Sequence, residues 1–185
     1  ANRWGFFPGM SAGWNLFKED FYINSGISEI ITTLKPRISY GFNGNVAGIG
    51  NYDVQGVYSL QTTYGGYQGY LNTGLVNEGL QWEKSRSFEA GADIGILDNK
   101  IMILANYYRR VTSDLLTDLS LPGYTGFPSF RTYLGTFQNS GFEAEITANI
   151  LRMGNGLTWD VSFNTSFNTN KILKLPPNGN ENNRQ

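Results

Sequence analysis

Apolar and polar residues alternate with period two through much of this chain, which predicts six β-strands. The first covers about residues 3 to 16, with Phe6, Met10, Ala12 and Trp14 on one face. The second, about 34 to 43, aligns Leu34, Ile38, Tyr40 and Phe42. The third, 82 to 97, and the fourth, 100 to 111, carry Phe88, Ala90, Ala92, Ile94 and Ile96, then Ile101, Ile103, Ala105 and Tyr107. The fifth, 141 to 151, shows Phe142, Ala144, Ile146, Ala148 and Ile150. The sixth, 157 to 172, shows Trp159, Val161, Phe163, Thr165 and Phe167. Opposite faces are wet: Ser85, Ser87, Glu89, Gly91, Asp93 and Gly95 in the third strand, Glu143, Glu145, Thr147 and Asn149 in the fifth.

Connections alternate in length. Asp98-Asn99 joins the third and fourth strands, and both residue types tolerate the positive φ of a tight hairpin. That turn sets Leu97 against Lys100 and Phe88 against Arg109, which brings the two apolar faces together. "RMGNG" (152 to 156) is a second short turn, whereas 44 to 81 and 112 to 140 are long loops. In the link between the first two strands, "ISEII" suits one helical turn. Pro8 has no N–H to give a ladder, so a bulge is expected there.

The apolar face could meet a protein core, as in a soluble β-sandwich, or lipid. Three features favour lipid. The strands exceed the usual length of about 3 to 10 residues. Short turns alternate with long loops, as in outer-membrane barrels. Aromatic rings gather near strand ends: Trp14 and Trp159 toward the turns, Phe88, Tyr107, Phe142 and Phe167 toward the loops. From Trp159 to Phe167 a tilted strand climbs about 20 Å, close to the apolar band of about 25 Å. Lys84, Arg86 and Arg109 share the apolar parity but lie at or beyond the loop-side rings, where they can snorkel. Trp82 falls outside the bilayer, and Met102 and Leu104 point to the wet side. Six strands cannot close a barrel, so the fold class is all-β, an arc of a larger transmembrane barrel.

Composition removes several functions. The chain holds no Cys and no His, so thiolate chemistry and the commonest general base are absent. A net charge of -1 leaves no basic footprint for nucleic acid. Charged residues make up only 16%, aromatics reach 15% and glycines number 23, which suits an all-β chain with wide loops. "NGNVAGIGN" (43 to 51) lacks the Lys-Ser/Thr of a phosphate loop. Glu143 with Glu145, and Glu89 with Asp93, could serve as paired carboxylates, but a hydrated wall uses the same residues. The start at Ala1 and the polar tail "PPNGNENNRQ" read as cut ends of something longer.

Five stretches follow in order: "RWGFFPGMSAGWN" (3 to 15), "LKPRISYGFNGN" (34 to 45), "LQWEKSRSFEAGADIGILDNKI" (80 to 101), "NYYRRVTSDLL" (106 to 116) and "NSGFEAEITANI" (139 to 150). Together they resemble the C-terminal half of the barrel in SusC/RagA-type TonB-dependent transporters, over nearly the whole chain. The resemblance implies a barrel of about 22 strands around an N-terminal plug, in the outer membrane of Bacteroidetes. It implies a SusD-like surface lipoprotein as lid and the TonB complex as energy source, reached through a plug and TonB box outside this chain. It implies import of oligosaccharides, with a starch- or malto-oligosaccharide-like glycan as the expected cargo, or of peptides in some members. No cofactor, metal or covalent step is implied, and a plug would cover Met102 and Leu104.

The long loops are rich in rings. Residues 57 to 75 hold Tyr58, Tyr64, Tyr67 and Tyr70, and 121 to 137 hold Tyr124, Phe127, Phe130 and Tyr133, with Arg131 among them. Aromatic faces stack on sugar rings while polar neighbours hold hydroxyls. Tyr64, Tyr67, Tyr70, Tyr124, Phe127 and Phe130 are therefore the candidate ligand contacts. Loop packing and contact with the lid compete for the same rings. Two other functions remain beside the transporter: a soluble carbohydrate-binding sandwich, and a glycosidase using Glu143 or Glu145.

Overall fold

The computed structural model describes residues 4–47, 49–50, 56, 58–80, 82–133, 135–152 and 157–175, without the side chains of 61, 62 and 64. In chain order the strands are β1 (Gly9–Gly13), β2 (Ile31–Asn45), β3 (Tyr58–Tyr64), β4 (Tyr67–Asn72) and β5 (Glu83–Ile96). There follow β6 (Ile101–Ser113), β7 (Leu116–Ser120), β8 (Ser129–Tyr133), β9 (Thr136–Arg152) and β10 (Thr158–Lys174). Strands β1-β2-β5-β6-β9-β10 form one antiparallel sheet in that order, and they are the six predicted strands. β3–β4 and β7–β8 are separate hairpins inside the two long connections, where the sequence pattern gave only loops.

The central hairpin has the expected register, with Phe88 opposite Arg109 and Ile96 opposite Ile101. Asp98 and Asn99 take φ of 56° and 60°, and Leu97 joins them at 54°. A left-handed leucine costs about 1 to 2 kcal/mol, and neighbouring bonds hold it. Its N–H donates to the Ile30 carbonyl at 3.0 Å, and the Thr33 hydroxyl donates to Asn99 Oδ1 at 2.8 Å. The "RMGNG" turn falls mostly on 153–156, outside the described residues. Beyond it Trp159 faces Leu151 and Asp160 faces Asn149, so Ile150 is the extra residue of a bulge.

The first strand is shorter than its pattern. Instead of a bulge at Pro8, β1 begins after it; the last bond on that side runs from the Phe42 N–H to the Pro8 carbonyl, 2.9 Å. Residues 4–8 leave the sheet, and the Phe7 ring packs over Gly44 and edge-on to Trp82 at 5.8 Å. At the other end the Trp14 N–H reaches the Pro36 carbonyl at 3.0 Å. Pro36 thus sits inside β2 with its missing N–H turned toward the place where β1 runs out. The link to β2 folds into short helical pieces, Leu16–Lys18, Asp20–Ile23 and Ile27–Glu29; the last is the predicted "ISEII" turn. Tyr22 plugs this corner, 6% exposed, its hydroxyl on the Ile31 carbonyl at 2.9 Å.

Among the described residues only Tyr22 and Leu80 are buried hydrophobics. The apolar face lies open: Phe167 is 72% exposed, Phe163 61% and Trp159 57%. A sandwich would cover this face with a second sheet, but the other sheets are two-stranded hairpins in the loops. The sandwich expectation is therefore set aside.

Register fixes the height of each ring. Trp14 joins Pro36, whose row continues through Ala92, Ala105 and Ala144 to Thr165 in β10. Trp159 lies six positions before Thr165. Five interstrand steps of about 4.8 Å, tilted by about 40°, displace a level line by about 20 Å, or about six residues. Trp14 and Trp159 then stand at one height. The same tilt brings Tyr40, Phe42, Phe88, Tyr107, Phe142 and Phe167 into a second belt about 7 Å deep. A single barrel-like tilt levels both belts.

Ile146 sits between the belts on the apolar face, and Thr147 points the other way, toward Ser162. In the complete protein refolded into bilayers, Ile146→Arg is expected to cost about 2 to 4 kcal/mol by guanidinium unfolding. Thr147→Arg is expected to cost less than half of that.

Candidate functional site

The wet face of the sheet is a hydrogen-bonding wall. Arg37 and Asp93 form its clearest ion pair, Nη2 to Oδ1 at 2.9 Å and Nε to Oδ1 at 3.0 Å. Register puts Arg37 opposite Gly91, and Gly91 opposite Asn106. A Cβ on Gly91 would collide with Asn106 Oδ1 and come within 2.9 Å of the Ala105 carbonyl. Gly91 therefore leaves the space through which the guanidinium crosses to Asp93. Gly141 does the same for Tyr108, since a Cβ there would stand 2.7 Å from the phenol oxygen.

Toward the loops the wall hollows into a concavity of about 580 Å³, lined by Glu89, Tyr108, Arg110, Asn139, Glu143, Asn168 and Asn170 among others. Arg110 Nε donates to Ser87 Oγ at 3.1 Å. Asn139 Oδ1 is buried and has no hydrogen-bond partner among the described residues. A wall of amides, hydroxyls and paired charges can exchange hydrogen bonds with a passing solute or with a protein surface. Among the described residues no three His, Cys, Asp or Glu cluster as metal ligands. Met102 and Leu104 lie on this wet face as predicted, opposite Thr147 and Glu145.

Glu143 and Glu145 follow one another on β9, both exposed, the first between Asn106 and Ser166, the second between Leu104 and Asn164. Glycoside hydrolysis requires two carboxylates flanking the scissile bond. Neighbours on one strand present a flat wall instead.

Both long connections rise from the same end of the sheet, opposite the 98–99 turn. β3 and β4 meet at Gly65-Gly66, with φ of 58° and 85°. Tyr64 is paired with Tyr67 in register, but its side chain is outside those described. Tyr67 and Tyr70 fall on opposite faces of this hairpin, so the first ring group is not one surface; both are about four-fifths exposed. In the second loop the Leu121 N–H donates to the Pro128 carbonyl at 3.1 Å, closing a ring of chain. Thr125 Oγ1 binds the Pro122 carbonyl inside it at 2.8 Å. Tyr124 stands at the tip, 90% exposed. Phe127 and Phe130 are half-buried, Phe130 opposite Leu119. Asp118 and Arg131 pair across the hairpin, 3.0 Å from Oδ1 to Nε and 3.3 Å from Oδ2 to Nη2. The two loops touch where Asn77 Nδ2 donates to the Arg131 carbonyl at 2.9 Å.

Arg37, Asn106, Tyr108, Arg110 and Asn139 escaped sequence reasoning, which marked only the acids of this wall. The signal was present in parity: each shares a face with Glu89 or Asp93 once the strands are in register.

The sequence pattern of the family described as "TonB dependent receptor-like, beta-barrel" matches residues 1–184. TonB-dependent receptor P3 of Formosa agariphila is 35% identical over 178 residues, 95% of this chain and 17% of that protein. TonB-dependent receptor SusC of Bacteroides thetaiotaomicron is 32% identical over 181 residues, 94% of this chain and 18% of that protein. The chain thus spans less than a fifth of the curated relatives it matches. Among solved structures, the RagAB peptide importer in its open-open state superposes with a TM-score of 0.81 at 26% identity, covering 94% of this chain and 18% of that one. The structure of the RagAB peptide transporter gives 0.79 at 26% identity, over 91% of this chain and 18% of that one.

Electrostatics at the loop base offers a test. The Arg131 hydrogen bond holds the Asp118 carboxyl below its usual range. Burial first, then the Asp114 and Glu83 carboxylates, push the Tyr133 phenol up to about 12. The unfolded phenol titrates near 10, so its contribution to stability is complete below about pH 10 and is lost between about 10 and 12. A difference titration at 295 nm between wild type and Tyr133→Phe should place this ionisation near pH 12; a step near pH 10 would contradict the packing of the loop base.

Proposed function

The chain belongs to the TonB-dependent receptor β-barrel family, and we propose that it serves as an arc of the wall of an outer-membrane oligosaccharide importer. The family consists of receptors and transporters of the bacterial outer membrane. In this reading the apolar face meets lipid, the wet face meets an N-terminal plug and the solute path, and the loops meet cargo. A SusD-like lipoprotein covers the loop side, and the TonB complex drives uptake through the plug.

The observation that carries a glycan cargo is the set of open rings at the loop end. Tyr67, Tyr70 and Tyr124 are each four-fifths exposed or more, on backbone held by hairpins. Exposed phenol faces on a fixed frame suit stacking on sugar rings. Phe127 and Phe130, half-buried, support the frame and offer edges. A second reading, peptide import, is favoured by the likeness to the RagAB peptide importer.

Uptake by cells carrying the complete receptor separates the two. Replacing Tyr124, Phe127 and Phe130 with Ala is expected to lower malto-oligosaccharide uptake about tenfold, with the amount of inserted barrel unchanged. Unaltered glycan uptake would remove this loop from cargo binding. Peptide uptake that falls in its place would establish the second reading.

A further inference from the structure

The β3–β4 and β7–β8 hairpins form sheets of their own, so the ties at their feet set how they stand on the main sheet. The joint below β7 is short. β6 ends at Ser113, opposite Lys84, and Leu116 opens β7. Between them Asp114 takes a φ of 57° and turns the chain. Glu83, the first residue of β5, closes on this joint: its Oε1 accepts from the Leu116 N–H at 3.1 Å. Its Oε2 accepts from Asn45 Nδ2 at 2.9 Å. Asn45 ends β2 and faces Glu83 in register, so this second bond closes the foot of the first long loop. One carboxylate thus serves both loops, with one oxygen for each. Bonds to an ionised acceptor are about twice as strong as neutral ones. The nearby Lys84–Asp114 pair, 3.7 Å apart and open to water, adds little.

A second tie joins the loops away from this foot. Asn77 Nδ2 donates to the Arg131 carbonyl, and Asn77 Oδ1 accepts from the Gly79 N–H at 3.1 Å, which fixes the amide that makes the tie. Arg131 is itself held by Asp118 across the β7–β8 hairpin. A single tie would leave a swivel, whereas two ties at separate points leave none. Glu83 fixes the joint of the second loop at 114–115, and the first loop leans on the second through Asn77. The Tyr133 phenol, opposite Leu116, stands close enough to feel the Glu83 and Asp114 carboxylates, so the clasp is packed as well as bonded.

We propose that Glu83 is a positioning residue that locks both long loops into one body and so sets the spacing of Tyr67 and Tyr70 from Tyr124. The proposal rests on the reading of these loops as cargo contacts. A glycan long enough to meet both ring groups binds them as linked sites, and the gain from linkage depends on a fixed span. Holding the rings in place before cargo arrives also removes an ordering cost from binding. Glu83 touches no cargo in this scheme and acts through the loops it holds.

The test places spin labels at Thr63→Cys and Ser120→Cys, one on each hairpin, in the complete receptor in nanodiscs, and reads their distance distribution by pulsed electron resonance. The unsubstituted clasp should give one narrow distance. E83Q keeps the shape of the side chain but sets an amide donor where an oxygen accepted, and should broaden the distribution about twofold. Adding N45D returns an acceptor for that amide and should narrow the distribution again. E78Q, in the same loop, should leave it unchanged. In cells, E83Q should raise the KM for malto-oligosaccharide uptake about tenfold at an unchanged maximal rate, and E83Q/N45D should restore it. A broad distribution with the clasp intact, an E83Q distribution as narrow, or one that N45D does not narrow again overturns the clasp. Loosened loops with an unchanged KM would instead overturn the role of ring spacing, and the cargo reading of the loops with it.

Discussion

Hydrocarbon offers no hydrogen bonds, so a chain that crosses it must satisfy every backbone N–H and C=O within itself. For strands the answer is a continuous ladder with a side-chain set facing each medium. The six-stranded sheet obeys this through its length: β9 and β10 pair over nearly the whole of both strands, and the departures from regular register sit at strand ends. Pro8 and Pro36 fit the same constraint, one stopping a strand, the other turning its missing donor toward a finished ladder. The sheet edges at β1 and β10 remain open in this chain, which spans less than a fifth of its curated relatives. A barrel closes such edges with further strands.

That constraint also explains what the sequence revealed. Two-medium strands carry the alternation on both faces, so all six were legible, as was the Phe88–Arg109 register, because Asp98-Asn99 admits few turn geometries. Leu97 in a left-handed conformation was not legible, since nothing in a leucine announces it. Neither were β3–β4 and β7–β8. Among the described residues those hairpins hold no buried side chain, so no core imposes strict alternation on them, and Gly65-Gly66 was the one readable trace. The wall itself was half legible. Acids caught the eye, whereas Arg37, Asn106 and Tyr108 acquire meaning only when Gly91 and Gly141 leave room beside them.

Function follows from the division of surfaces. The wet wall supplies hydrogen bonds in bulk. The loops carry rings on paired strands, tied together by Asn77 and Arg131 and braced by the Asp118–Arg131 pair. Rigid hairpins present side chains at lower ordering cost than free loops do, which suits recognition at the mouth of a barrel. In the proposed reading anchoring is separate from recognition: ring belts set the depth, and the hairpins above them are the proposed contacts for cargo and lid.

Even positions of β9 face hydrocarbon in this architecture, and every other surface assignment depends on that orientation. It is tested most directly by placing a spin label at each of residues 140 to 150 in turn, in the complete receptor in bilayers. The account predicts a period-two profile of oxygen accessibility, greatest at Ala144, Ile146 and Ala148, and low at Glu143, Glu145 and Thr147. A flat profile, or even positions that oxygen does not reach, would contradict it.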